Sequence, residues 1–141
     1  VRRLVYALRP PTLDELGLVD AIREHVDVVA ANSGLQITVA APASLPEIPA
    51  AVEVAAFRIV QEALNNVIRH AQARCCTLAI VSDASLHIRI EDDGVGLPAA
   101  VHSGVGLHSM RERAIEVGGV CTVANRGAGG VIVQVSLPLA S

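Results

Sequence analysis

Phe57-Arg58-Ile59-Val60-Gln61-Glu62-Ala63-Leu64-Asn65-Asn66-Val67-Ile68-Arg69-His70 sits inside the longest helical pattern of the chain, residues 50–73. At about 100° per residue, Val60, Ala63, Leu64, Val67, Ile68 and Ala71 make one apolar face suited to packing on a sheet. On the other side Glu62, Asn66 and Arg69 fall within about 60° of one another, with His70 at the margin. Arg58, Gln61 and Asn65 extend that polar face. A two-faced helix is ordinarily a solvated surface helix, so the polar face gains meaning only from other motifs. Its chemistry is nonetheless definite. The Asn66 amide oxygen can be one of the few protein oxygens Mg²⁺ requires when phosphates and water supply the rest. Glu62, one turn earlier, can orient or deprotonate a nucleophile, and Arg69 and His70, one turn later, can meet phosphate oxygens.

Working outward, residues 74–82 and 85–91 read as a strand pair turned at Asp83 and Ala84. Ile88, Ile90 and Glu91 lead into Asp92-Asp93-Gly94-Val95-Gly96, and after residues 97–103 comes Gly104-Val105-Gly106-Leu107, opening a helix over 107–117 that Gly118 and Gly119 terminate. Glycines at such places let backbone approach a ligand, and free N–H groups at a helix start favour phosphate. Asp92, closing its strand, can accept a hydrogen bond from an exocyclic amine and so select adenine over guanine. Taken alone, Asp-Asp-Gly is an ordinary turn signal and Gly-x-Gly is equally unspecific. No Gly-Lys-Ser or Gly-Lys-Thr occurs, which excludes a Walker A loop, and neither Gly-x-Gly has the third glycine of the dinucleotide fingerprint.

Strands are expected over 120–125 and 131–137. Upstream, residues 1–8 look like the tail of an earlier helix stopped by Pro10 and Pro11, and Thr12 with Glu15 has the spacing of a capping box. The helix it opens continues to Asn32 and Gly34, and residues 35–41 alternate as a strand. Helices mixed with hairpin-linked strands predict an α+β fold: a two-layer sandwich whose mixed, mainly antiparallel sheet is covered by helices on one face. The organisation expected is an upstream tail, 1–10, and one domain, 11–141.

The 141 residues are enough for a core without disulfides. A net charge of −3 argues against binding a nucleic-acid backbone. With Tyr6 and Phe57 the only aromatics, no stacking platform for bases exists. No apolar run approaches the ~18 residues of a membrane span, so no direct membrane contact is expected. Cys75, Cys76 and Cys121 lack metal-ligand spacing and are expected as core thiols in a reducing cytoplasm. Because the chain begins at Val1 without a leader pattern, it reads as a piece of a longer protein.

Taken in order, these motifs resemble the nucleotide-binding domain shared by gyrase, histidine kinases and MutL, often called the Bergerat fold. Glu62 to His70 resembles the N box, with Asn66 at the magnesium ligand's place and Glu62 where ATPase relatives keep a general base. Asp92 to Gly96 resembles the first glycine box, whose aspartate holds the adenine amino group. Gly104-Val105-Gly106-Leu107 resembles the second, which meets the phosphates. The segments Leu8 to Leu18, Phe57 to Asn66 and Gly106 to Arg113 look like the NarL/DesK-associated branch of sensor kinases, whose lid between glycine boxes is short, as are residues 97–103 here. The family's usual Gly-Thr near the end stands as Gly130-Val131.

The resemblance implies a catalytic domain that binds ATP with Mg²⁺ and phosphorylates a histidine on a dimerisation domain, from which a response regulator takes the phosphoryl group. None of His25, His70, His87, His102 and His108 stands in the His-Asp or His-Glu context of that phosphoacceptor, so the target histidine is expected outside this sequence. His25 reads as a solvated helix residue and His87 as a strand side chain. Three other readings stay open on the same fold. An ATP-hydrolysing clamp of the gyrase or MutL type suits Glu62 but has a longer lid and a transducer domain; an anti-sigma serine kinase fits poorly with Leu8-Arg9-Pro10-Pro11; a regulatory module would bind nucleotide without transfer.

Overall fold

The computed structural model describes residues 10–96, 105–127 and 129–139, without the side chains of residues 70, 71, 105 and 106. Residues 1–9 of the expected upstream tail, the inter-box segment 97–103 with His102, and Gly104 lie outside the described residues.

Two helices stand where one was expected after Pro10. Helix α1, Pro11–Leu16, has Pro11 in its first turn and no side-chain cap, so the Thr12–Glu15 capping box does not form. Gly17, at φ 82 and ψ 172, then redirects the chain into α2, Leu18–Ser33. Gly34 ends α2 in the left-handed region, its N–H bonded to the Ala30 carbonyl. Strand β1 is Gln36–Ala40, and helix α3, Ala50–Asn66, follows after the proline loop.

The last turn of the expected 50–73 helix departs from α geometry. Val67–Ala71 winds as a π-turn, and Gln72 closes it at φ 53. Each i→i+5 turn holds more residues than an α turn, which rotates later side chains out of the 100° phase. Val67 stays buried while Ile68, assigned to the apolar face by periodicity, is 47% exposed.

The hairpin of β2, Cys75–Ser82, and β3, Ser85–Asp92, is followed by helix α4, Val105–Glu116, and the strands β4, Val120–Asn125, and β5, Val131–Pro138. Asp83 tightens the β2–β3 turn, its Oδ1 accepting the Ser85 N–H and facing His87 Nε2 at 2.9 Å. The sheet order is β1-β2-β3-β5-β4; β1 runs parallel to β2 and every other pair is antiparallel. This is the mixed, helix-backed α+β sandwich expected.

Strand alternation sends Leu78, Ile80, Ile88, Ile90 and Val135 toward α3 and α4, where they join Ile59, Leu64 and Met110 in one core. The opposite face carries exposed Thr38, Thr77, Arg89, Gln134 and Thr122, one from each strand. Alternation also divides the cysteines. Cys76 and Cys121 are buried, their thiols pushed up by burial to about 12 and about 11, but Cys75 is exposed on the uncovered face rather than in the core. His25, too, is not the solvated residue expected: it packs edge-on against Phe57 at 6.0 Å, its Nε2 is buried without a partner among the described residues, and burial lowers its pKa.

Candidate functional site

Asn66 and Asp92, on different layers of the sandwich, line one cleft. Its other walls are Ala63, Val67, Ile90, Leu107, Val123, Val131 and Val133. The lining is apolar apart from those two side chains, the character of a site for a flat heterocycle fixed by a few polar groups. The strand alternation that buries Ile88 and Ile90 also turns Asp92 inward, leaving it 2% exposed.

The surroundings of Asp92 are built largely from backbone. Its Oδ1 accepts the Gly94 N–H at 2.9 Å, an Asx turn closing the strand, and the Val131 N–H also bonds the carboxylate. Burial pushes the carboxyl above the usual Asp range; the Gly94 and Val131 N–H groups oppose that, neighbouring Asp93 adds to it, and Arg126 opposes it. Val131, standing where the resembled family has threonine, thus contributes a main-chain donor. Asp93 points elsewhere: its Oδ1 accepts the Arg74 and Cys75 N–H groups, tying the end of β3 to the chain leaving the π-turn.

Close approach requires glycine at 130, and a positive φ favours it at 96. Gly130 has φ +96, and a Cβ there would sit 1.9 Å from the Asp92 carbonyl oxygen. Gly96, at φ +84, would place a Cβ 2.9 Å from Asn125 Oδ1. The β4–β5 turn is therefore pressed against the first glycine box from Asp92 to Gly96.

At the other end of the cleft, contacts run between side chains. Arg69 Nη2 donates to Glu62 Oε2 at 3.2 Å and Asn66 Oδ1 at 3.1 Å, which gathers the three residues the periodicity had grouped. Among the described residues the Asn66 Nδ2 is buried without a hydrogen-bond partner. The Asn66 oxygen, which now accepts from the Arg69 guanidinium, is the atom a hard cation would take, whereas the amide N–H₂ is a donor that calls for an oxygen acceptor such as water or phosphate. Leu107 is 2% exposed and walls the cleft from α4. Gly94 lies beside Asp92. Val105 and Gly106 open α4; the His70 side chain and Gly104 lie outside the description.

Sequence reasoning missed Arg126, and it named Gly130 only through the family's Gly-Thr, without its contact to Asp92. Arg126 Nη1 donates to the Asp92 carbonyl at 2.7 Å, and Asn125-Arg126-Gly127 looks like an ordinary hairpin turn until the fold brings it against β3. The run Gly127 to Gly130, three glycines in four residues, was a hint of a close approach.

Residues 51–141 match the family of histidine kinase-, DNA gyrase B-, and HSP90-like ATPases. The chain belongs to that family. Similar curated proteins include the signal transduction histidine-protein kinase/phosphatase UhpB of Salmonella typhimurium, 40% identical over 98% of this chain and 28% of its own length. The sensor histidine kinase LiaS of Bacillus subtilis is 34% identical over 99% of this chain and 39% of its own. This chain therefore spans well under half of these relatives. Among solved structures, the blue-light activated histidine kinase of Erythrobacter litoralis superposes with a TM-score of 0.73 at 21% identity, covering 86% of this chain and 42% of that one, a likeness of fold. The relatives are sensor histidine kinases, as the ordered boxes led one to expect. No helix among the described residues is long and apolar enough to cross a membrane.

Proposed function

We propose that this domain binds Mg-ATP and transfers the γ-phosphoryl group to a histidine on a separate dimerisation domain. The observation that carries the reading is the shared cleft: a buried carboxylate at one end, an amide oxygen with an arginine at the other, and an apolar slot between. Residues 11–141 form the catalytic domain and residues 1–10 the end of the dimerisation helix and its linker.

In this reading the adenine amino group donates to Asp92, while Ile90, Leu107, Val123 and Val133 sandwich the ring. Asn66 holds Mg²⁺, which when bound neutralises phosphate charge. Arg69 and His70 offset the remainder, and the backbone from Gly104 to Leu107, with Gly94 and Gly96 behind it, receives the triphosphate at the start of α4. Phosphoryl transfer asks mainly for such positioning. The attacking group is a neutral imidazole nitrogen, which needs little base assistance, so Glu62 acts by orienting Arg69 and Asn66 rather than by taking a proton. Downstream, a response regulator accepts the phosphoryl group; the setting is the cytoplasm.

Calorimetry of ATP against GTP, with and without Mg²⁺, tests the reading directly. ATP should bind, Mg²⁺ should tighten it, and GTP should bind far more weakly; equal binding of the two purines refutes the Asp92 role. Adding the dimerisation domain of the parent kinase should yield phosphohistidine. Nucleotide binding without transfer would instead mark a regulatory module, and rapid phosphate release by the isolated domain a hydrolytic clamp.

A further inference from the structure

The β4–β5 turn contains a charged residue that no part of the binding scheme above employs. We propose that Arg126 is a positioning residue for adenine recognition, fixing the strand end that presents Asp92. This role rests on the assignment of Asp92 as the adenine acceptor.

The geometry is specific. Arg126 Nη1 donates to the Asp92 carbonyl oxygen at 2.7 Å, and its Nε lies 3.6 Å from Glu91 Oε1, so one guanidinium spans two consecutive residues at the end of β3. The Arg126 backbone is held in turn: its N–H bonds the Gly130 carbonyl at 2.8 Å, and its carbonyl accepts the Gly129 N–H at 3.1 Å. The turn is thereby closed on itself with Gly130 pressed beneath the same Asp92 carbonyl. Val131, next in the chain, gives its N–H to the Asp92 carboxylate. Arg126 thus clamps the outer side of a residue whose inner side is held by Val131 and Gly94. Its side chain is one-third exposed, so its charge is partly desolvated where it meets the carbonyl.

The charge has a second effect. Asp92 must be ionised to accept strongly from an amine, yet burial and Asp93 favour its protonated form, and Arg126 acts against them. The other titratable neighbours are Glu91 on the same strand and the Cys76 thiol on β2, which burial keeps protonated. Loss of Arg126 therefore moves the acid limb of nucleotide binding to higher pH, a signature that simple loosening of the turn does not produce.

The test measures ATP, ADP and adenosine affinity from pH 5 to 8 for wild type, Arg126→Ala and Arg126→Lys, with thermal melts of each. Arg126→Ala should weaken all three ligands by a similar factor, roughly five- to tenfold at pH 7, leave the Mg²⁺ increment for ATP intact, and shift the acid limb upward. Arg126→Lys keeps the charge without the planar fork, so it should restore the acid limb while recovering affinity only in part; it also serves if the alanine variant fails to fold. Unchanged affinity and pH profile in a folded variant, or a loss confined to Mg-dependent binding, overturns the role of Arg126 alone. A wild-type protein that binds no adenine ligand overturns the nucleotide reading itself, and this role with it.

Discussion

At its Asp92 end the cleft is assembled from main chain: a carboxylate 2% exposed, two N–H donors, a glycine pressed against a carbonyl. At its Asn66 end it depends on side chains, with Arg69 58% exposed and a π-turn where the sequence pattern continues a regular helix. Backbone groups are placed by the sheet itself and lose little freedom when a ligand arrives, whereas long exposed side chains must still be ordered. The hydrogen bonds around Asp92 are therefore already in place, and under the proposed function the Asn66 end would be completed by what it binds.

The sharpest way to break that contrast is Gly130→Ala. A Cβ directed at the Asp92 carbonyl, on a residue at φ +96, should cost about 3 kcal/mol of stability, read by urea denaturation of the unliganded domain. A near-neutral result would mean the Asp92 end is soft.

Asp92→Asn should weaken ATP by about 1–3 kcal/mol in calorimetry, since a charge-assisted acceptor is lost from a buried site. The same variant should be more stable than wild type when empty. Burial raises the folded-state pKa of this carboxyl, so the folded protein holds the proton more tightly than the unfolded chain. Stability then declines as pH rises from the ordinary Asp range through the raised value, and asparagine removes that decline. Melting curves from pH 4 to 8 that run parallel for the two proteins would contradict it.

Asn66→Ala should have the smallest effect on the empty domain. It should leave adenosine affinity unchanged while abolishing the Mg²⁺-dependent gain for ATP, a loss of about 1 kcal/mol. A magnesium gain that survives the substitution would move the cation elsewhere.

Much of the fold was legible because its signals are local. Period-2 alternation exposed β2, β3 and β5, glycines marked helix ends, and the boxes carried residue types whose chemistry is hard to mistake. The failures have local causes of their own. Gly17 divides a helix whose apolar pattern runs through it unbroken, and no periodicity announces a π-turn, so Ile68 was placed on the wrong face. Cys75 and Cys76 could not be told apart without knowing which sheet face is covered. For the site, Asn66 and Asp92 were visible as candidates, but their convergence on one cleft is a tertiary fact. Arg126 was hidden altogether, because its partner is a carbonyl and carbonyls have no letter in a sequence.

The unequal burial of the cysteines has a practical use. Cys75 is exposed on the uncovered face of the sheet, while Cys76 and Cys121 are enclosed with thiols that resist ionisation. A maleimide fluorophore should therefore couple at a single place without engineering, on a strand bonded through Asp93 to the end of β3. Its emission would report, from outside the cleft, on what happens inside.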